Sequence, residues 1–345
     1  MEKTLTIHIA QTEPGMIVAE DIYNNYGAVL LSKNTILDLY SISKLDYLNI
    51  NFIKIYEEYT PIHTNESDIA AIYDETFSDF KSMVRDIGNG KNIDAIKVQN
   101  MVGELTDNFT SINDIISSLN RIRDTDDYTY SHSINVSLLS SLISKWLGMG
   151  EIQCKLSSYC GLLHDIGKSR ISPEILNKPG ILTPKEFEEI KKHPVIGYKI
   201  LENNVAIHKE VALGVLMHHE REDGSGYPFG VKSNQINVYG KIVAISDVFD
   251  AMTSNRVYKK KQTPFDVFQI YESEYLTKFD THMLLTFLRK IASFYIGSKV
   301  RLSNDLWGEI IFINDKAISK PMIKMEDSSI IDLSRESDIF IKELI

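Results

Sequence analysis

The sequence predicts a mainly α-helical protein with a small α+β module at its N-terminus and a small β-rich module at its C-terminus. Three observations point to this class. Between about residues 65 and 296, apolar side chains recur three and four apart in one stretch after another. Before residue 60, a single helical stretch stands among short apolar runs. After Gly297 the pattern turns to short alternating runs broken by Ser-Asn-Asp and Asn-Asp turns. For 345 residues, at about 150 per domain, a division into 1–60, 65–296 and 297–345 is expected.

In the first module, Val18 to Ile22 and Ala28 to Leu31 flank Tyr23-Asn24-Asn25-Tyr26-Gly27, a hairpin with Asn and Gly in its turn. Leu37, Leu39, Ile42, Leu45 and Leu48 fall at helical spacing, and Phe52 to Tyr56 reads as a strand. In the helical region, the stripe from Ile69 through Tyr73 and Phe80 to Val84 is closed by Gly88-Asn89-Gly90. A second stripe runs from Ile93 through Leu105, Phe109 and Ile112 to Leu119. Helical patterns continue over 134–147, 152–163, 211–217 and 238–252, and 265–271 and 283–294 complete a bundle. In the last module, 299–302, 309–313, 322–325 and 339–341 are expected strands of a small barrel or curled sheet.

Hydrophobic residues at 43% and charged ones at 24% are ordinary globular usage and exclude a disordered or collagen-like chain. Acidic residues outnumber basic ones 47 to 37, for a net charge of −10. That balance argues against a DNA or RNA polymer as partner, whose phosphates need a basic footprint. A small anionic substrate is still compatible, because a local cluster of cations reverses the field within one cleft. Cys154 and Cys160 make no disulfide framework; on a helix they lie about 9 Å apart along the axis. The N-terminus has no basic start followed by an apolar run, and no stretch approaches the ~20 apolar residues of a membrane span. A soluble, cytoplasmic protein is expected.

The chemistry gathers in the histidines. Of nine, six lie between His132 and His219. His132 is expected to open a helix, His164-Asp165 and His218-His219 each end an apolar helical run, and His193 precedes Pro194 at a helix start. Asp247 lies on an apolar helix. So many ionisable groups on buried faces need compensation, and a divalent metal supplies it. Imidazole and carboxylate without thiolate suit Fe, Mn, Zn or Ni.

These residues carry a family resemblance. His164-Asp165-Ile166-Gly167-Lys168, His193-Pro194-Val195-Ile196-Gly197, His218-His219-Glu220 and Asp223-Gly224-Ser225-Gly226-Tyr227-Pro228 resemble the HD-GYP proteins of the HD phosphohydrolase superfamily. Asp247-Val248-Phe249-Asp250-Ala251-Met252-Thr253-Ser254 continues the match in order, and the motif core covers about 128–291. Glu13-Pro14-Gly15-Met16 and Ala19-Glu20-Asp21 are similar to a module that often precedes such a domain.

The resemblance implies an HD-type helical bundle that binds metal and hydrolyses cyclic di-GMP to linear pGpG, and onward to GMP. It implies one ion on His132, His164, Asp165 and Asp247 and a second on His193, His218 and His219, with Asp165 bridging and a water between the ions as nucleophile. Lys168 would meet the phosphate being cut; Arg256 and Lys259 would grip phosphates and guanines, and Tyr227 would stack on or hydrogen-bond the ligand. Glu220 and Asp223 would orient the histidines and their loop, and Asp250 would either do the same or ligate an extra ion. Members binding three metals carry Glu four residues before the first ligand histidine. Here that residue is Tyr128, so two ions of Fe or Mn per chain are expected, with pGpG as the main product. The alternative is a catalytically weak, metal-containing receptor for a cyclic dinucleotide, or a partner-docking module. A homo-oligomer or a signalling partner would be met through the terminal modules. His8, His63, His208 and His282 match no motif.

Overall fold

The computed structural model describes residues 3–57, 66–109, 112–119, 128–254 and 262–344. Arg256, Lys259 and His63 lie outside them. The first module pairs β1 (Thr4–His8) with β4 (Phe52–Tyr56), antiparallel with Thr4 opposite Tyr56, around α1 (Leu39–Tyr47). The hairpin is β2 (Ile22–Tyr23) against β3 (Val29–Leu31), with Gly27 at a φ of +83° in its turn. β1 had no expectation in the sequence, because Thr-Leu-Thr-Ile-His alternates too briefly to stand out before its partner is known.

The helices that follow are α2 (Glu66–Gly88), α3 (Ala95–Asn108), α4 (Ile112–Leu119), α5 (Tyr128–Trp146) and α6 (Glu151–Leu163). The single stripe expected from Ile93 to Leu119 is thus two helices, interrupted after Asn108. Then come α7 (Pro173–Leu176), α8 (Pro184–Ile190), α9 (His193–Leu201), α10 (Lys209–Met217), α11 (Val238–Thr253), α12 (Pro264–Ile270) and α13 (Thr281–Phe294). Local chemistry sets several starts: Thr183-Pro184 with Glu186, and Thr263-Pro264 with Asp266, form capping boxes with proline in the first helical turn. α12 passes directly into a π-helical turn, Tyr271–Tyr275.

α5 is the axis of the bundle. Every residue from Ser131 to Ser144 is buried, with α6, α11, α13, α2 and α4 packed around it. Its serines let α6 and α11 approach: Ser137 meets the Ser158 hydroxyl at 2.8 Å, and Ser140 donates to Ser246 at 3.1 Å. That burial on all sides explains why α5 lacks a one-sided stripe.

The last module is an antiparallel sheet in the order β8-β7-β6-β5-β9, from β5 (Lys299–Leu302), β6 (Trp307–Asn314), β7 (Ala317–Met325), β8 (Ile330–Asp332) and β9 (Ile341–Leu344). β8 was not expected, and the strand expected at 339–341 begins only at Ile341. Register shifts along β6 and β7 bend the sheet, consistent with the curled rather than the closed expectation. The buried apolar side chains form one connected cluster from Ile9 to Ile341, so the terminal modules share the core of the bundle. No helix among the described residues is long and apolar enough to cross a membrane.

Candidate metal centre

Helix ends bring the histidines together. His164 follows the last residue of α6, His218 follows the last residue of α10, and His193 opens α9 just after α8. At each of these ends the final carbonyls lack helical partners. His164 Nδ1 lies 2.7 Å from the Gly161 carbonyl, His193 Nδ1 2.7 Å from that of Ile190, and His218 Nδ1 2.7 Å from that of Val215. A carbonyl only accepts, so each Nδ1–H donates, which leaves Nε2 as the nitrogen free to face the site.

Those nitrogens converge on Asp165, which is 6% exposed. Its Oδ2 lies 3.3 Å from His164 Nε2 and its Oδ1 lies 3.2 Å from His193 Nε2. His193 Nε2 and His218 Nε2 stand 3.2 Å apart. Two bare nitrogen lone pairs at that distance repel unless a cation lies between them. Among the described residues, His164 Nε2 and Asp165 Oδ1 are buried without a hydrogen-bond partner. Potential ligand atoms fall into two groups, each within 4.8 Å: Asp165, His193, His218 and His219; and His132, His164 and Asp165. Asp165 belongs to both. An oxygen-and-nitrogen set of this kind fits the divalent metal expected from the sequence.

Electrostatics agrees with that fit. Burial pushes the His218 and His219 imidazoles well below the ordinary range and takes His193 down to about 4, so all three are uncharged at neutral pH, the form in which imidazole binds a metal. Burial alone would raise the Asp165 carboxyl, but its contacts with His164 and Lys168 hold it well below the usual range.

His132 is placed differently. α5 starts at Tyr128, so His132 lies inside the helix rather than opening it, where the nearby carbonyls are engaged. A carboxylate replaces them: His132 Nδ1 lies 2.7 Å from Asp250 Oδ2, and its Nε2 lies 3.1 Å from Asp247 Oδ1 and 4.0 Å from Asp165 Oδ2. Burial opposes a charge on His132, but the hydrogen bonds to Asp247 and Asp250 lift it to about 9, so a cation at Nε2 would take the place of the proton shared with Asp247. Asp247 meets His132 yet stands outside the tighter three-residue group. Asp250 is fully buried behind the ring, a position that suits the orienting role, one of the two expected for it. Tyr128 stacks on His132, and its hydroxyl lies 3.5 Å from Nδ1, the side away from the other ligands.

Lys168, on the 3₁₀ turn Ile166–Arg170, places Nζ 2.6 Å from Asp165 Oδ2 and keeps its side chain 29% exposed. Tyr227 stacks on His219 with ring centroids 4.5 Å apart. Its loop is pinned by Glu220, whose buried carboxylate accepts from the Phe229 and Val231 amides at 2.8 and 3.1 Å, and by Asp223, which accepts from Ser225. A Cβ on Gly226 would lie 2.4 Å from the His219 carbonyl oxygen, so only glycine lets this loop close on the site. His8 and His208 cap helical turns and His282 is exposed. Asn135 and Tyr73, in contact behind Asp250, had no functional signal in the sequence.

This bundle and its converging histidines define an HD-domain protein. Residues 115–283 match the HD domain family. Gly226-Tyr227-Pro228 stands beside the histidines, where the resemblance to the HD-GYP proteins expects it. A cyclic di-GMP phosphodiesterase of Pseudomonas aeruginosa is 33% identical over 244 residues, covering 71% of this chain and 59% of that protein. One from Thermotoga maritima is 43% identical over 171 residues, 49% of this chain and 46% of that protein. A 3'3'-cGAMP-specific phosphodiesterase of Vibrio cholerae is 37% identical over 147 residues, 43% of this chain and 34% of that one. The chain thus spans less than two thirds of the length of these relatives. An HDG"Y"P protein from Bdellovibrio bacteriovorus has the same fold, with a TM-score of 0.55 at 15% identity over 83% of this chain and 98% of that one.

Proposed function

We propose that the protein is a metal-dependent phosphodiesterase that hydrolyses cyclic di-GMP to linear pGpG, with slower onward hydrolysis to GMP. One observation carries the reading: bare imidazole nitrogens face a doubly shared Asp165, an arrangement that only cations complete. His132, His164, Asp165 and Asp247 would hold one ion and His193, His218, His219 and Asp165 the other, with Fe or Mn as the metal. Bound there, such ions supply Lewis-acid activation of the phosphodiester and of water.

The chain's own residues supply the rest. Asp165 turns one oxygen to each histidine group and keeps both groups in register. Lys168 steadies Asp165 and, being part-exposed, brings a positive charge to the scissile phosphate. Tyr227 offers its ring and hydroxyl beside His219 to the ligand. Arg256 and Lys259 take the phosphates and bases, by their place in the motif. The two cysteines are free and buried, which suits the cytoplasm. The segments 1–60 and 297–345, where Phe52 and Phe340 are exposed, are the surfaces for a signalling partner or a second copy.

The test is metal analysis of anaerobically purified protein coupled to product analysis. Two ions of Fe or Mn per chain and multiple turnovers of cyclic di-GMP to pGpG are expected. Tight binding without product would overturn the enzyme in favour of a receptor, and preference for 3'3'-cGAMP would overturn the substrate.

A further inference from the structure

We propose that Tyr73 is a positioning residue for the metal centre, acting on His132 through Asn135 and Asp250. The inference rests on the reading of His132 as a metal ligand. It starts from a contrast: His164, His193 and His218 are each oriented by a carbonyl three residues back, while His132 is oriented by a side chain from another helix. That side chain is itself the end of a buried chain of polar groups. The Tyr73 hydroxyl donates to Asn135 Oδ1 at 3.0 Å, Asn135 Nδ2 donates to Asp250 Oδ1 at 2.8 Å, and Asp250 Oδ2 stands 2.7 Å from His132 Nδ1. Tyr73 is 1% exposed, Asn135 4%, Asp250 0% and His132 4%, so water does not substitute for a missing member.

The direction of the chain follows from its donors. A phenol hydroxyl on the Asn135 oxygen leaves the amide NH₂ to face Asp250. Asp250 then accepts from Asn135 and, at 3.3 Å, from the Ser254 hydroxyl, and accepts the Nδ1 proton of His132 on its other oxygen. With the proton held on Nδ1, Nε2 is the atom offered to a cation. Without the Tyr73 hydroxyl the Asn135 oxygen loses its buried donor, and the Asp250 carboxylate alone is left to hold the amide in place. Tyr73 lies on α2, outside the segment that matches the HD domain family, so a helix next to the N-terminal module reaches the centre. The end of α2 also approaches the turn that carries Lys168: a Cβ on Gly88 would stand 3.2 Å from the Ser169 carbonyl oxygen.

The experiment is Mn²⁺ titration by calorimetry of the full chain and two variants, with melting temperatures recorded in parallel. Tyr73→Phe should weaken one Mn²⁺ step about 3–10-fold, less than the 10–100-fold typical of a direct partner of a ligand. The control is Ser137→Ala, which removes another buried hydroxyl bond from α5 and should lower the melting temperature comparably without changing Mn²⁺ affinity. Equal affinity in Tyr73→Phe and the parent, or equal weakening in both variants, would overturn the proposal. A parent chain that binds no Mn²⁺ or Fe²⁺ would instead overturn the metal centre, and the relay with it. Independently of any variant, ¹H–¹⁵N spectra of the Zn²⁺-loaded chain should place the His132 proton on Nδ1. An Nε2 proton there would refute the relay.

Discussion

Asp165 and Lys168 are in contact, 2.6 Å apart, yet the geometry gives them separable roles. Asp165 is shared by both groups of potential ligands, whereas among the described residues the Lys168 ammonium bonds only to the carboxylate. Asp165→Ala is therefore expected to lose most bound metal together with activity. Lys168→Ala is expected to keep the metal and lower kcat by about 10²–10³, the usual loss for one charge-stabilising donor. Elemental analysis and turnover measured on the same samples check both outcomes. Metal retained in Asp165→Ala, or lost from Lys168→Ala in proportion to activity, would contradict the assignment. The resemblance nominated these two, because His164-Asp165-Ile166-Gly167-Lys168 stands as one of its motifs.

At the scale of elements, the centre depends on how closely the turn after α6 meets α9. Gly167 is the contact. A Cβ there would stand 2.0 Å from the His193 carbonyl oxygen and 2.6 Å from the Gly197 amide nitrogen, both backbone atoms that cannot swing aside. Gly167→Ala is expected to push α9 away from Asp165, to destabilise the fold by about 2–3 kcal/mol, and to lower metal content without removing any ligand. Thermal melts and metal analysis decide it; an unshifted melt with full metal would show that the two elements do not need this approach. Element existence was largely legible, since α1, α2, α6, α10, α11 and α13 follow from periodicity. The break between α3 and α4 was not, because their apolar faces continue one stripe across it.

At the scale of the whole molecule, polar contacts as well as the shared core join the first module to the bundle and to the last module. Lys44 on α1 donates to the Phe294 carbonyl at the end of α13 at 2.6 Å, Lys290 donates to the Ser32 hydroxyl at 2.7 Å, and Asn24 donates to the Ile311 carbonyl on β6. Burial lowers Lys44 from 10.5 to about 7. The folded chain therefore releases a proton that the unfolded chain keeps between those values. Stability rises with pH from about 7 toward 10.5, and this contribution is lost as pH falls through 7. The carbonyl and the ring faces of Tyr40 and Phe294 around Nζ favour the ammonium and blunt the effect. Melting temperatures of the parent are expected to gain on those of Lys44→Met as pH is raised from 7 to 9. Parallel curves would show that Lys44 stays charged at this junction.

The sequence alone determined the helical class and the β-rich ends, and through its motifs it nominated the ligand set from His132 to Asp247, because periodicity and short motifs are local properties. It could not determine how the ligands are aimed. Three imidazoles take their orientation from carbonyls left open at helix ends, and those ends are settled by packing. The fourth depends on Asp250, Asn135 and Tyr73, brought together from α11, α5 and α2. Only the tertiary structure decided that, since a tyrosine on an apolar stripe reads as core until the buried amide that takes its hydroxyl proton is placed beside it.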